Sequence, residues 1–271
     1  MRLYKLSLAS LLLLGLALPL AAQPKKKRIL AIGQVKGFQH DATTYGLATL
    51  WKIGQESGLW ETYIRTDTQL LTKKKLSANA KNLDYFDAVI FYTTGELDLD
   101  DSQKADFLSF IKDDGKGFIG VHAAADTLYK WPEYGEMIGG YFDGHPWGQF
   151  QAPIVVEDRT NPIVKHFPPA FSVMDEIYQV KDYSRDRVRV LLSMDAAKLD
   201  LAQRGVKRTD KDFAISWIRN YGKGRVFYST FGHREDSWDR PDVQKMWLEA
   251  IKWTLGLTEA DATPRPKPAQ Q

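Results

Sequence analysis

The sequence predicts an α/β fold built on a mostly parallel sheet with helices on both faces. Strand and helix patterns alternate through the first half of the chain, which is the order that builds a parallel sheet. The second half is richer in strand patterns, and two of them, at 213–218 and 225–231, flank a hairpin signal from Asn220 to Gly224. A hairpin pairs its strands in opposite directions, so antiparallel strands should join the sheet in the C-terminal half.

The elements of the first half follow from the spacing of apolar residues. Residues 28–33 form an apolar run closed by glycine, which is typical of a strand buried on both faces. Apolar residues recur at helical spacing between Tyr45 and Gly58, and an amphipathic pattern from Asp101 to Lys112 precedes a glycine stop signal. Further strands are expected at 61–65, 86–94 and 117–122.

The second half is predicted to hold strands at 152–157, 172–180 and 187–194 before the hairpin. A helix from Pro241 to Leu255, with apolar residues on one face, then closes the fold. The tail from 257 to 271 is rich in proline, alanine and glutamine, a composition typical of disorder. A single domain at 28–256 therefore accounts for the folded part of the chain.

The first 22 residues have the order of a secretory signal peptide. Arg2 and Lys5 precede an apolar run from Leu6 to Leu20, and small residues follow it. The run is short for a membrane span, so an uncleaved anchor is the less favoured interpretation. Residues 23–27 then form a basic leader beside the cleavage site. We therefore expect a periplasmic or secreted protein with no stable membrane insertion.

Composition excludes several classes of function. The chain has no cysteine, which rules out disulfides, thiolate metal ligands and a cysteine nucleophile. Its formal charge of +3 includes the basic residues of the signal and the leader. That charge gives no case for nucleic-acid binding, and neither a nucleic-acid partner nor a nucleotide cofactor is expected.

Three of the five histidines follow predicted strands. His40 lies in the loop after the first strand, His122 ends the fourth, and His233 follows the last. For any one of them, a local hydrogen bond would be the simpler explanation. The carboxyl ends of parallel strands meet at one edge of a sheet, however, so the three together predict a shared site.

Two chemistries remain open at this site. The imidazoles of His40, His122 and His233 could hold a divalent metal, zinc most readily, with a position left for water or substrate. Alternatively, a histidine paired with a carboxylate could act as a metal-free acid or base. Asp126 lies four residues beyond His122 and Glu235 lies two beyond His233, so these carboxylates are predicted to contact the two rings.

Aromatic and polar residues near these histidines in the sequence suit a sugar. Aromatic rings stack on the C–H faces of sugars while polar groups bind the hydroxyls. The predicted substrate-binding residues are Tyr129, Trp131, Tyr141, Asp143, His145 and Glu176. His145 is also the reserve metal ligand if His40 points away. The alternative is that the aromatic residues only pack the fold.

Five motifs occur here in the order found in the ThuA-like (trehalose utilisation) family, which this chain resembles over about residues 28 to 256. They are Phe38-x-His40-Asp41, the segments 117–126 and 131–146, Asp175-Glu-Ile-Tyr178, and the segment 224–233. The resemblance implies a doubly wound, flavodoxin-like sheet of the class I glutamine amidotransferase type. In that fold a cysteine follows the fourth strand and a later His-x-Glu completes the triad. His122 stands in the cysteine's place here, so glutaminase chemistry is excluded, whereas His233 and Glu235 keep the second pattern.

The resemblance further implies a role in disaccharide catabolism, with a 3-keto sugar as a candidate substrate. A ketone at carbon 3 acidifies the hydrogen at carbon 2, and a metal or imidazolium would hold the enediolate during isomerisation or glycosidic cleavage. The predicted catalytic residues are His122, His233, Glu235 and Asp126. The alternative is a carbohydrate-binding accessory protein that keeps the scaffold without turnover.

Overall fold

The computed structural model describes residues 25–78 and 81–267. The signal peptide predicted at 1–22 lies outside this part of the chain. Within the described ranges, no helix is long and apolar enough to cross a membrane.

Eleven strands and five α-helices make up the described fold. The strands are β1 (Lys27–Ile32), β2 (Trp60–Arg65), β3 (Ala88–Phe91), β4 (Gly117–Val121), β5 (Tyr141–Phe142), β6 (Gln149–Val156), β7 (Ala170–Glu176), β8 (Val180–Lys181), β9 (Arg189–Met194), β10 (Ala214–Tyr221) and β11 (Gly224–Ser229). The helices are α1 (Ala42–Ser57), α2 (Asp101–Lys112), α3 (Pro132–Ile138), α4 (Glu235–Asp239) and α5 (Pro241–Thr254).

The main sheet has nine strands in the order β2-β1-β3-β4-β11-β10-β9-β6-β7. The first five are parallel to one another, and their order is that of a flavodoxin-like doubly wound sheet. The pairing is antiparallel from β11 through β10, β9 and β6 to β7. The predicted parallel sheet with antiparallel additions in the C-terminal half is confirmed.

Both faces of the sheet are covered, as a doubly wound fold requires. Side chains alternate along β1: Ile29 and Ala31 pack with the buried faces of α1 and α5, whereas Leu30 and Ile32 pack with those of α2 and α3. Because successive residues of a buried strand serve opposite cores, the strand is apolar throughout.

The hairpin between β10 and β11 is closed by Gly222 and Lys223 alone. Gly222 has a φ of +59°, and a Cβ there would lie 2.4 Å from the carbonyl oxygen of Lys112. A side chain is therefore excluded by both backbone conformation and space. The tight turn places β11 beside β10, and the other edge of β11 pairs with β4 in the middle of the sheet.

The strand predicted at 172–180 is broken in the structure. β7 ends at Glu176, and after three residues β8 begins and pairs with β5 in a separate two-stranded sheet. Residues common in strands, Ile177, Tyr178 and Val180, continue beyond the break, which is why the sequence suggests one strand. Residues 177–179 therefore belong to neither sheet and lie beside the histidines.

The segment predicted as a disordered tail packs against the domain from 257 as far as the structure describes it. Ala262 is buried, and Arg189 pairs with Asp261 at 3.0 Å and donates to the carbonyl oxygen of Thr263 at 3.2 Å. Arg265 also donates to the carbonyl oxygen of Glu157. Residues 257–267 thus differ from the prediction, because arginine contacts hold a segment whose composition is poor in apolar residues.

Candidate metal centre

His40, His122 and His233 come together at the carboxyl edge of the parallel strands, as the sequence predicts. His40 follows β1, His122 follows β4 and His233 follows β11. Their ring centroids are 4.9 Å apart for His40 and His122, 5.1 Å for His40 and His233, and 5.3 Å for His122 and His233. The three rings are thus close enough to share one bound ion.

Glu176, at the end of β7, completes the group. One ligand atom from each of His40, His122, Glu176 and His233 lies within 4.8 Å of all the others. The Oε1 atom of Glu176 is 3.3 Å from Nδ1 of His233 and 3.8 Å from Nε2 of His122. We call these four residues the histidine–glutamate cluster. Glu176 is predicted from the sequence as a substrate-binding residue, and nothing in the strand pattern indicates that it joins the histidines.

Asp175 explains how the end of β7 reaches the loop of His233. Its buried carboxylate accepts hydrogen bonds from the backbone nitrogens of Gly232 at 2.8 Å and Arg234 at 3.2 Å. These two residues flank His233, so the carboxylate holds the loop beside Glu176. Burial raises the pKa of Asp175 to about 6, although these backbone hydrogen bonds oppose the shift.

His122 has a strained backbone and an oriented ring. Its φ of +42° lies in the left-handed region that residues other than glycine rarely adopt. Its Nδ1 is 2.6 Å from the carbonyl oxygen of Thr230. A carbonyl only accepts, so Nδ1 carries the proton and Nε2 presents its lone pair to the cluster.

Buried nitrogens without hydrogen-bond partners occur at several places in the described residues, and three of them converge in this cluster. The three are Nδ1 of His40, Nε2 of His122 and Nδ1 of His233, one on each histidine of the cluster. Buried polar atoms are rarely left without partners. Three imidazoles and one carboxylate are also a donor set that suits zinc, so the residues fit a bound divalent cation.

Burial keeps the imidazoles of His40 and His122 uncharged. It lowers the pKa of His40 to about 4, and the neighbouring His233 acts in the same direction. Burial also lowers the pKa of His122 well below its usual range, again reinforced by a neighbouring histidine, His40. Metal binding requires neutral imidazole, so at neutral pH both rings are already in the binding form.

A polar chain contacts the outer nitrogen of His233. Arg234 donates to Oε1 of Gln149 at 2.7 Å, and Nε2 of Gln149 lies 3.0 Å from Nε2 of His233. Because arginine only donates, the amide oxygen must face it and the amide NH₂ must face the ring. His233 then accepts at Nε2 and carries its proton on Nδ1, which lies 3.3 Å from Oε1 of Glu176 but without the geometry of a hydrogen bond. A cation bound at Nδ1 would displace that proton.

The predicted contacts of Asp126 and Glu235 are wrong. Asp126 accepts a hydrogen bond from the Tyr129 hydroxyl at 2.6 Å. It does not contact His122, because residues 122–126 form a 3₁₀ helix. A 3₁₀ helix, unlike an α-helix, does not place residues four apart on the same face. Glu235 is exposed at the first residue of α4, and among the described residues Glu176 is the carboxylate within 4 Å of His233.

Two of the aromatic residues predicted to bind substrate are core residues. Trp131 is 7% and Tyr141 6% exposed, and both pack with α3. The Tyr141 hydroxyl donates to the carbonyl oxygens of Leu128 and Trp131 at 3.0 and 2.7 Å. Neither ring is available to a ligand, because the helix that follows Trp131 covers them.

The other predicted substrate-binding residues are more accessible. Tyr129 is partly exposed, and Asp143 pairs with Lys207 at 2.6 Å. His145 has a side chain that is 47% exposed, with Nδ1 3.5 Å from Oε2 of Glu176. His145 therefore contacts the cluster from its solvent side.

Comparison with known proteins places this chain in a family. The ThuA family model, described as trehalose utilisation, matches residues 28–254. A solved ThuA-like protein from Bacteroides uniformis is similar with a TM-score of 0.71 and 21% identity, covering 86% of this chain and 93% of that one. Another, from Parabacteroides merdae, has a TM-score of 0.68 and 17% identity, covering 89% and 98%. No curated protein sequence matches. The family match spans most of the chain, and the protein therefore belongs to the ThuA family.

Proposed function

We propose that this protein is an exported enzyme that uses a divalent metal to act on an oxidised disaccharide. The observation that carries the proposal is the set of partnerless, buried imidazole nitrogens on His40, His122 and His233. Glu176 adds a carboxylate to them within 4.8 Å. A protein gains nothing in stability from three such orphaned atoms, whereas a cation would satisfy all of them.

Zinc is the ion that we expect, held by His40, His122, His233 and Glu176. A bound divalent ion would polarise a carbonyl oxygen of the substrate as a Lewis acid. The residues supply the rest of the arrangement: the Thr230 carbonyl orients the ring of His122, and Asp175 holds the loop of His233. These supports keep the ligands in place before the ion arrives.

A carbohydrate substrate is supported by the family's description and by the surroundings of the cluster. Tyr129, Asp143 and His145 offer a partly exposed phenol, a carboxylate and an imidazole near its solvent side. Such groups can bind sugar hydroxyls. A 3-keto disaccharide is the substrate class that makes best use of a site able to stabilise negative charge on oxygen.

His145 is the group that we propose for proton transfer, and Glu176, which we propose as a metal ligand, positions it. The base takes the hydrogen at carbon 2, and the electron pair of that C–H bond passes into the enediolate. Return of a proton at another carbon completes an isomerisation. Alternatively, the electron pair forms a double bond between carbons 1 and 2, the oxygen on carbon 1 leaves with the proton that the base returns to it, and the glycosidic bond is broken. His145, in contact with Oε2 of Glu176 at 3.5 Å, could carry the proton between the cluster and solvent.

The test is to incubate the purified protein, with zinc or with a chelator, with trehalose and with its 3-keto derivative, and to follow products by mass spectrometry. We expect a product from the oxidised sugar only, and only with metal. His122→Ala should be inactive. His166→Ala is a matched control, because the His166 ring bonds to the carbonyl oxygen of Asp242, away from the cluster. Sugar binding without turnover would replace the enzyme with a carbohydrate-binding accessory protein.

Export is proposed from the N-terminal sequence, in which basic, apolar and small residues follow in the order of a signal peptide. Expression of the full chain should yield a periplasmic or secreted protein whose N-terminus lies at about residue 23. A full-length N-terminus on membrane-bound protein would support the anchor interpretation instead.

A further inference from the structure

Phe38 is the most exposed large hydrophobic side chain of the described residues, with 65% of its surface accessible. Its ring centroid is 4.9 Å from that of His40, at an interplanar angle of 75°. The most exposed aromatic ring therefore lies beside a residue of the histidine–glutamate cluster. Scattered exposed apolar residues are common on proteins, so exposure alone would mean little without this position.

The loop that carries Phe38 is fastened to the loop after β3. The Thr94 hydroxyl donates to the carbonyl oxygen of Phe38 at 2.9 Å, and it accepts from the backbone nitrogen of Gly37 at 3.3 Å. The two loops also touch at Gly95, where a Cβ would lie 2.7 Å from the nitrogen of Gly37. The backbone of Phe38 is thus held in place, and an exposed ring on such a backbone loses little conformational freedom when a ligand covers it.

We propose that Phe38 is the stacking platform for a pyranose ring of the substrate, which lies with a C–H face on the aromatic ring and a polar edge towards the cluster. This inference rests on the proposed carbohydrate function. It assigns to Phe38 the role that the sequence suggests for Trp131 and Tyr141, whose rings are buried. A flat, rigid aromatic ring suits this role because it offers a large contact area with few rotatable bonds.

The experiment compares Phe38→Ala, Phe38→Leu and Phe38→Tyr in the full-length, zinc-supplemented protein. The probes are trehalose, by calorimetric affinity, and its 3-keto derivative, by KM and kcat. Loss of the ring should raise Kd and KM about tenfold and leave kcat nearly unchanged. Leucine should behave like alanine because it lacks a planar face, whereas tyrosine should retain wild-type affinity. Trp51→Ala is the matched control, since Trp51 is 46% exposed on α1, roughly 14 Å along the helix from its first residue.

Four other results would contradict the stacking role of Phe38, and each can be told apart from the rest. Unchanged Kd and KM in Phe38→Ala, with a wild-type protein that binds the sugar, would leave the proposed function standing and remove Phe38 from it. Loss of bound zinc in Phe38→Ala would mean that the ring only supports His40. A change in oligomeric state with unchanged sugar affinity would make this face a protein interface. A wild-type protein that binds neither sugar would overturn the proposed function together with the platform.

Discussion

Oε1 of Glu176 lies 3.3 Å from Nδ1 of His233, so the carboxylate that faces this histidine comes from another strand and not from the His-x-Glu pattern around it. Glu235, which that pattern indicates, is exposed at the start of α4. The His233 segment therefore resembles an amidotransferase triad in sequence, but the contact between histidine and glutamate that the triad requires is not formed by Glu235.

Glu176→Gln should weaken zinc binding about 10–100-fold, because the amide keeps the size of the side chain and loses its charge. The protein should remain folded. Glu235→Gln is the control and should bind zinc as the wild type does. Zinc content after dialysis against a graded chelator measures both. Equal loss in the two variants, or loss in Glu235→Gln alone, would restore the role that the sequence pattern suggests.

His122→Ala should abolish stoichiometric zinc uptake, since this ring presents an oriented, deprotonated nitrogen to the cluster. His166→Ala should keep full uptake. Elemental analysis of the purified variants, with circular dichroism to verify folding, gives the comparison. A folded His122→Ala protein with a full complement of zinc would contradict the assignment of the site.

Asp175→Asn should destabilise the domain by about 1–3 kcal/mol. The carboxylate now accepts hydrogen bonds from two backbone N–H groups, and in the variant an amide NH₂, which cannot accept, would face one of them. Asp143→Asn is a suitable control, since its partner Lys207 is largely exposed and such ion pairs contribute about 0–1 kcal/mol. Urea unfolding curves of the two variants and the wild type measure the difference. Similar losses of stability in both variants would argue against the role of Asp175 in holding β7 to the loop of His233.

The metal-free protein should lose stability as the pH falls from about 6.5 to about 4. The folded-state pKa of His40 is about 4 against an ordinary value of 6.5, so in this window the unfolded state binds the extra proton. His122 shifts in the same direction. Asp175, whose pKa is raised to about 6, works the opposite way between 3.8 and 6, and burial also raises the pKa of Asp126. These two carboxylates oppose three histidines, since burial lowers the pKa of His166 as well. The net slope therefore keeps its sign.

The melting temperature of the chelator-treated protein, recorded from pH 7.5 to 4.5, measures this slope. His40→Gln should make it shallower, because the variant removes one of the three lowered histidine pKa values. Bound zinc should oppose acid destabilisation until protons displace it from the imidazoles. A melting temperature independent of pH in the metal-free protein would contradict burial as the cause of the lowered pKa values.

The placement of the three histidines could be predicted from the sequence because it depends on two local facts and one general rule. Each histidine follows a predicted strand, and each such strand belongs to the parallel part of the sheet. Parallel strands end at the same edge, so residues far apart in the chain meet there. The family resemblance rests on the same segments and is shown by the match over residues 28–254.

Only the tertiary structure decided which other side chains join the histidines. Glu176 comes from β7, at the opposite end of the strand order from β2, and reaches the cluster because β7 stops there and Asp175 ties it to the loop of His233. Trp131 and Tyr141 are of the residue types that bind sugars, but α3 buries them, whereas Phe38 stays exposed. The periodicity of a sequence reports which residues share one face of one element. It does not report where strands end, how loops are fastened, or which face a neighbouring element covers, because those depend on packing between segments distant in the chain.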